Sequence, residues 1–260
     1  MSDVSDWWQT DIIDMAPGQI RMRGHPIEGL IGTVSFPQMI WLMVRGDMPS
    51  EAEAKLFEAA LVATVDHGPQ APSIAAARMA VTCGLPLNGA MASAVNMLDD
   101  VHGGAGEQAV ELYHRVAAAD APLAEVLVAW RAENGPFIPG FGHLFHKPVD
   151  PRAPRLLALV DEAAEGGIVS GTFAQVARDI EAALAAEKGK PVPMNIDGAT
   201  AVIYAELGFA APLARGLFCL SRSVCILSHA WEQQQQGDRN KGPTPPDYRW
   251  TYTGPNPIKD

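Results

Sequence analysis

The sequence predicts an all-α protein. Three observations carry that reading: apolar residues recur at helical spacing behind N-cap residues, Ala-rich faces suit close helix packing, and no run of alternating strands is joined by hairpin turns. The clearest helix opens at Pro49-Ser50-Glu51, with Ser50 as N-cap and Glu51 and Glu53 in the first turn. Phe57, Ala60, Leu61 and Val65 follow at helical spacing, and Gly68-Pro69 stops the run. Further helices are expected to begin near Ser73, Leu87, Gly106, Pro122, Pro151 and Phe173, with loops at the Gly/Pro clusters Gly135 to Gly142 and Gly189 to Pro193. The tract Gln233 to Gln236 finishes a last helix. After it, Gly237 to Asp260 is interrupted at Gly242-Pro243, Pro245-Pro246 and Gly254-Pro255-Asn256-Pro257, so it is expected to be an extended tail, ordered only where its own domain or a partner subunit ties it down. No internal repeat is visible.

Composition narrows the function classes. Against 30 Asp+Glu stand 19 Lys+Arg, a net charge of −11, which excludes a sequence-independent nucleic-acid binder and requires any polyanionic ligand to meet a local basic patch. With 48% hydrophobic and 19% charged residues in 260, the chain is expected to form one large domain or two unequal ones rather than a disordered state. Cys83, Cys219 and Cys225 cannot all pair with one another and lie among apolar or small residues, which suits a reducing compartment. The start, Met1 to Trp8, has no basic region and no apolar core, so it is not read as a secretory signal. The apolar segment Ala211 to Trp231 carries Arg215, Arg222 and His229, which a membrane helix tolerates poorly. A cytoplasmic protein with no membrane partner is expected.

Three of the seven histidines lie in glycine-flanked loops: Asp66-His67-Gly68-Pro69, Val101-His102-Gly103-Gly104 and Gly140-Phe141-Gly142-His143. Glycine beside histidine permits close approach of backbone to ligand. Each alone reads first as a structural histidine capping a helix or loop; the three together point to a site. Asp197, in Pro193-Met194-Asn195-Ile196-Asp197-Gly198, has two readings: an N-cap, or a general base in a poorly solvated setting. Arg152 and Arg222 are the arginines best placed to face a carboxylate bidentately, with a structural ion pair as the other reading. The spacing of His and Cys offers no zinc site, no cysteine sits in a glycine loop as a nucleophile would, and neither GxGxxG nor GxxxxGK[ST] occurs.

Taken in order, Gly18 to Leu30, Ser35-Phe36, Gly46-Asp47-Met48-Pro49, the DHG, HGG and GFGH segments, Asp150-Pro151-Arg152 and Asn195-Ile196-Asp197 resemble the citrate synthase superfamily over nearly the whole chain. The resemblance implies roles. His102 matches the histidine that steadies the enolate of acetyl-CoA, His143 the one that serves the oxaloacetate carbonyl or citrate hydroxyl, and Asp197 the base that moves the acetyl proton. His67, Arg152 and Arg222 match residues that hold carboxylates. Lys147, Lys188 and Lys190 match basic positions that meet the phosphates of coenzyme A, which supply the local patch the acidic total demands. Coenzyme A is then a thioester substrate or product, with no permanently bound cofactor and no metal.

Departures from the synthase pattern are few. Leu144 follows GFGH where synthases usually have Arg, and Gly198 follows Asp197 where they carry a bulkier residue. With the shorter length and Asp66-His67-Gly68-Pro69, these features are most similar to short bacterial citryl-CoA lyases and the lyase domain of ATP-citrate lyase, although that domain has an aromatic residue at the position of His102. The resemblance implies a large domain of residues 1–114 and 218–260, a small domain of 115–217, and substrate in the cleft. It further implies a homodimer in which the partner's tail completes the site. Arg249, between aromatic residues, is the first candidate for that contact and Arg239 the second. The expected activity is cleavage of a 3-hydroxy-3-carboxy acyl-CoA to acetyl-CoA and a 2-keto acid; the rivals are a condensing citrate or 2-methylcitrate synthase and a non-catalytic CoA-ester-binding subunit, against which retention of His102, His143 and Asp197 argues.

Overall fold

Local signals set most helix starts in the computed structural model, which describes residues 7–143 and 148–256. In chain order the elements are β1 (Ile13–Ala16), β2 (Gln19–Met22), β3 (His25–Pro26), α1 (Ile27–Leu30), α2 (Phe36–Arg45), α3 (Glu51–Ala63), α4 (Pro72–Thr82), α5 (Leu87–Val95), α6 (Ala105–Ala118), α7 (Leu123–Asn134), α8 (Arg152–Glu165), α9 (Thr172–Lys188), α10 (Ile196–Glu206) and α11 (Ala211–Gln236). The fold is mostly helical, as expected. Ser50 caps α3 in a capping box: its Oγ accepts from Glu53 N–H at 3.3 Å, and its own N–H donates to Glu53 Oε2 at 2.8 Å. Ser35 and Gln38 do the same for α2.

The small antiparallel sheet β1-β2-β3 departs from the all-α expectation. Two turns create it. Pro17 followed by Gly18 at φ 74° has the residues and sign of a type II turn, and Arg23 and Gly24, at φ 47° and 83°, are both left-handed as a two-residue hairpin turn requires. Arg23 is held there because its Nε and Nη2 donate to the Met43 carbonyl at 3.3 and 2.9 Å and its Nη1 pairs with Asp11 at 2.7 Å.

Two compact units emerge, each with its own core: Met1–Thr64 with Ala105–Leu217, and Val65–Gly104 with Phe218–Asp260. This grouping by packing differs from the expected 1–114 and 218–260 against 115–217. In the first unit the cause is α10, buried along almost its whole length, which packs on α3, α6, α8 and α9 and so draws residues 1–64 and 105–114 to it. Phe209 stacks on Phe57 at 5.2 Å and meets Trp41 edge-on at 5.0 Å, anchoring the end of α10. Glu206, the last residue of α10, caps α9 by accepting the N–H groups of Gly171, Phe173 and Ala174 at 3.0, 2.7 and 3.3 Å.

In the second unit α4 and α5 meet through Ala77, Ala90 and Ala94, whose small side chains permit close approach. Phe218, Cys225, Ile226 and Ala230 of α11 join that core. By length and composition α11 is long and apolar enough to cross a membrane. Its buried residues lie in the protein cores, however, and Arg222 is buried among them, so we read it as a core helix. Past α11 the tail is first tied to α4: Asn240 N–H donates to the Thr82 carbonyl at 2.8 Å and Lys241 N–H to Thr82 Oγ1 at 3.0 Å. From Gly242 to residue 256 it is exposed and has neither helix nor strand, with one turn in which Tyr248 N–H donates to the Pro245 carbonyl at 3.0 Å.

Candidate active site

The first unit holds His143, Asp197, Arg152, Lys188 and Lys190. The segment Gly140 to Gly142 pairs antiparallel with Pro193 to Asn195: Gly142 N–H donates to the Pro193 carbonyl at 2.7 Å and Asn195 N–H to the Gly140 carbonyl at 2.9 Å. Asn195 Nδ2 adds a bond to the Gly142 carbonyl at 2.9 Å. This pairing places His143 directly after one side of the stitched segment, while α10, with Asp197 as its second residue, follows the other.

Asp197 is not the N-cap. Asn195 takes that role, its Oδ1 accepting from the N–H groups of Asp197 and Gly198 at 3.0 and 3.2 Å, so the Asp197 carboxyl stands in the first turn of α10. Burial pushes the Tyr113 and Tyr204 phenols up, and the charge of Asp197 adds to both, with Glu181 also acting on Tyr113. The small residue after Asp197 has a steric reason. A Cβ on Gly198 would collide with the Gly140 carbonyl oxygen, and one on Gly140 would come within 2.6 Å of Gly198 Cα. GFGH and the start of α10 therefore touch backbone to backbone.

Arg152 begins α8 and grips its own loop. Its Nε and Nη2 donate to Asp150 Oδ1 and Oδ2 at 3.0 and 2.8 Å, and its N–H to Oδ1 at 3.1 Å, with Asp150 wholly buried. The structural ion pair is thus present, and Nη1 has no hydrogen bond among the described residues. Lys188 and Lys190, exposed, flank Gly189 at the end of α9. Lys147 lies outside the described residues.

The second unit holds His67, His102, Arg222, Arg239 and Arg249. His102 sits in a tight turn, with Asp99 N–H donating to its carbonyl at 3.0 Å. Both glycines after it are needed: a Cβ on Gly103 would meet Phe218 Cε1 at 3.0 Å, and one on Gly104 the Asp100 Cα at 2.7 Å. Ser73, fully buried at the start of α4, donates its N–H to His102 Nε2 at 3.2 Å, with its Oγ 2.9 Å from the same atom. A nitrogen that accepts carries no proton, so neutral His102 has its hydrogen on Nδ1. Burial and then the Arg222 charge hold the imidazole below its ordinary value of 6.5. The pattern yields a neutral Nδ1–H donor. The sequence marks Ser73 as a helix start but carries no sign of its contact with His102, which lies 29 residues on.

Arg222 is buried on α11, its guanidinium 4.8 Å from the Phe218 ring. His67 is exposed in a turn closed by Asp66, whose Oδ1 accepts from His67 and Gly68 N–H at 2.7 and 3.0 Å. Arg239 and Arg249 are exposed in the tail. Of the cysteines, Cys225 is buried as expected, but Cys83 is exposed at the end of α4.

Residues 43–242 match the family described as citrate synthase, C-terminal domain. A citryl-CoA lyase structure from Hydrogenobacter thermophilus superposes with a TM-score of 0.85 at 30% identity, covering 97% of this chain and 98% of that one. An ATP citrate lyase variant of Methanosaeta concilii in complex with (3S)-citryl-CoA shares the fold, with a TM-score of 0.81 at 21% identity over 95% of this chain and 42% of that one. Among curated sequences, a citrate synthase of Acidithiobacillus ferridurans is 26% identical over 214 residues, 82% of this chain and 53% of its own length. The chain spans about half the length of the curated relatives it matches.

Proposed function

Because the chain belongs to the citrate synthase family, we propose that it is a carbon-carbon lyase that cleaves a 3-hydroxy-3-carboxy acyl-CoA, citryl-CoA first among candidates, into acetyl-CoA and a 2-keto acid. The observation that carries this reading is the 30% likeness to a citryl-CoA lyase over almost the full length of both chains.

The chemistry asks for three groups, and the family motifs of this sequence offer one residue for each. His143 accepts the proton of the substrate hydroxyl. As the resulting alkoxide becomes a ketone, the carbon-carbon bond breaks and its electron pair forms the enolate of acetyl-CoA. The enolate oxygen takes a hydrogen bond from Nδ1–H of His102, a donor fixed in advance and therefore free of reorganisation. Asp197, in its carboxylic acid form, delivers the proton to the acetyl carbon; in the reverse direction it is the base. His67, Arg222 and the remaining edge of Arg152 hold the carboxylates. Incubation with citryl-CoA tests the reading: acetyl-CoA and oxaloacetate in equal amounts are expected, whereas free citrate and coenzyme A would make the protein a condensing citrate synthase, the activity in the name of the Acidithiobacillus relative.

Lys147, Lys188 and Lys190 are proposed to meet the coenzyme A phosphates. Their triple replacement by alanine is expected to raise the KM for the CoA ester and leave affinity for the keto acid alone. The effect should shrink with added salt, because exposed charges are screened. An unchanged KM at low salt places the phosphates elsewhere.

A homodimer completes the proposal. Leu220, Val224, Leu227 and Trp231 form an exposed apolar stripe along α11, and Tyr248, Trp250 and Tyr252 leave the tail with three bare aromatic rings. The stripe is proposed to pack across a two-fold axis while the tail brings Arg249, or failing it Arg239, to the neighbour's site. Deleting residues 238–260 is then expected to abolish most activity while light scattering still gives a dimer. A monomeric full-length chain, or full activity in the truncated one, contradicts this.

A further inference from the structure

In the second unit α11 carries Arg222, Cys225, His229, Glu232 and Gln236, a 3-4-3-4 spacing that keeps them on one helix face. Arg78 of α4 meets the lower half of that face. Its Nη1 lies 3.1 Å from His229 Nδ1 and 2.5 Å from Glu232 Oε2, and its Nη2 donates to Gln236 Oε1 at 2.9 Å. A guanidinium has only donors, so His229 Nδ1 must accept and the proton of the neutral ring belongs on Nε2. That Nε2–H points at Asp66, 3.3 and 3.4 Å from its two carboxylate oxygens. Asp66 in turn receives the backbone N–H groups of His67 and Gly68.

We infer that Arg78, His229 and Asp66 form a directed relay of positioning residues, which locks the turn bearing His67 to the helix bearing Arg222 and so fixes the spacing of two carboxylate-binding side chains. The inference rests on the proposed role of His67. A turn closed by Asp66 could form without help from α11, but nothing local requires Arg78 to set the tautomer of a histidine that then faces the turn's own aspartate. Burial raises the Asp66 carboxyl, yet the Gly68 and His67 N–H groups and His229 outweigh it and hold the group below its usual range, so it remains an acceptor. Cys225, one turn before His229, also faces Asp66; burial first, and the Asp66 charge among lesser causes, pushes its thiol up to about 12, so it stays neutral.

Oxaloacetate binding by calorimetry, kcat at saturating citryl-CoA, and amide hydrogen exchange over residues 66–68 test the relay in the full-length protein. His229→Phe is expected to weaken oxaloacetate binding about tenfold, the low end for a hydrogen bond to a charged group because Asp66 is half exposed. In the same variant kcat should move by less than about threefold, since no group that touches the reacting atoms is removed, and the His67 and Gly68 amides should exchange faster. His229→Gln, whose amide can both donate to Asp66 and accept from Arg78, should restore binding and protection. Arg78→Gln, at the far end of the relay, should reproduce the Phe phenotype and serves if His229→Phe does not fold. Unchanged exchange in both disruptive variants, or a Gln variant as impaired as Phe, overturns the inference. If His67→Ala binds oxaloacetate like the wild type, the role of His67 is wrong, while the exchange data still decide the relay.

Discussion

Replacing Asp197 by asparagine is expected to lower kcat by roughly 10² to 10⁴, the usual contribution of a positioned acid or base. The amide keeps the shape but cannot carry the proton to or from the acetyl carbon. Stability should change little, because the cap of α10 belongs to Asn195 and not to Asp197. The measurement is steady-state turnover of citryl-CoA alongside thermal unfolding of the same sample. Turnover near the wild-type rate would remove Asp197 from the role, and a large loss of stability would show that its carboxyl serves the fold.

His102→Ala should cost about 10² to 10³ in kcat, the order found when one preorganised donor to a developing oxyanion is lost. Ser73→Ala separates donor from support. It leaves the backbone N–H facing Nε2, so the tautomer is kept and the loss should stay near one net hydrogen bond, about tenfold at most. A second consequence follows from the depressed pKa of His102. The unfolded chain takes up this proton near 6.5 and the folded chain only at lower pH. Between those values the unfolded state binds more protons, so the stability this neutral site contributes is present above pH 6.5 and declines as pH falls below it. Denaturation midpoints of wild type and His102→Ala should therefore converge in mild acid.

How much of this was legible in the sequence depends on the range of the interaction. Ser50 and Glu53 are three residues apart and close a local ring, so the start of α3 could be read directly. The starts expected near Ser73, Leu87, Gly106, Pro122, Pro151 and Phe173 fall within one residue of those of α4 to α9, where Pro or Gly ends one backbone conformation and permits the next. The N-terminal sheet was missed because its strands have only four, four and two residues and stay largely exposed, leaving no clear alternation. The grouping by packing is set by α10, which recruits α3 from far up the chain, and no local pattern reports that. The glycines of the HGG and GFGH segments were visible as motifs, and the structure supplies a steric cause at Gly103, Gly104 and Gly140. The partners were not visible: His229 meets Asp66 across 163 residues, and only the packing of α11 brings them together.

In the proposed mechanism Asp197 and neutral His102 handle an acyl-CoA enolate in either direction of the reaction. Incubating the protein with acetyl-CoA and oxaloacetate in deuterium oxide, then recovering the acetyl-CoA for mass spectrometry, reads that step without waiting for net turnover. Deuterium should enter the acetyl methyl group in the wild type, slow by at least about 10² in Asp197→Asn, and be unaffected by replacing the exposed Glu58. Exchange that persists at the wild-type rate in Asp197→Asn would exclude Asp197 as the group that moves the acetyl proton.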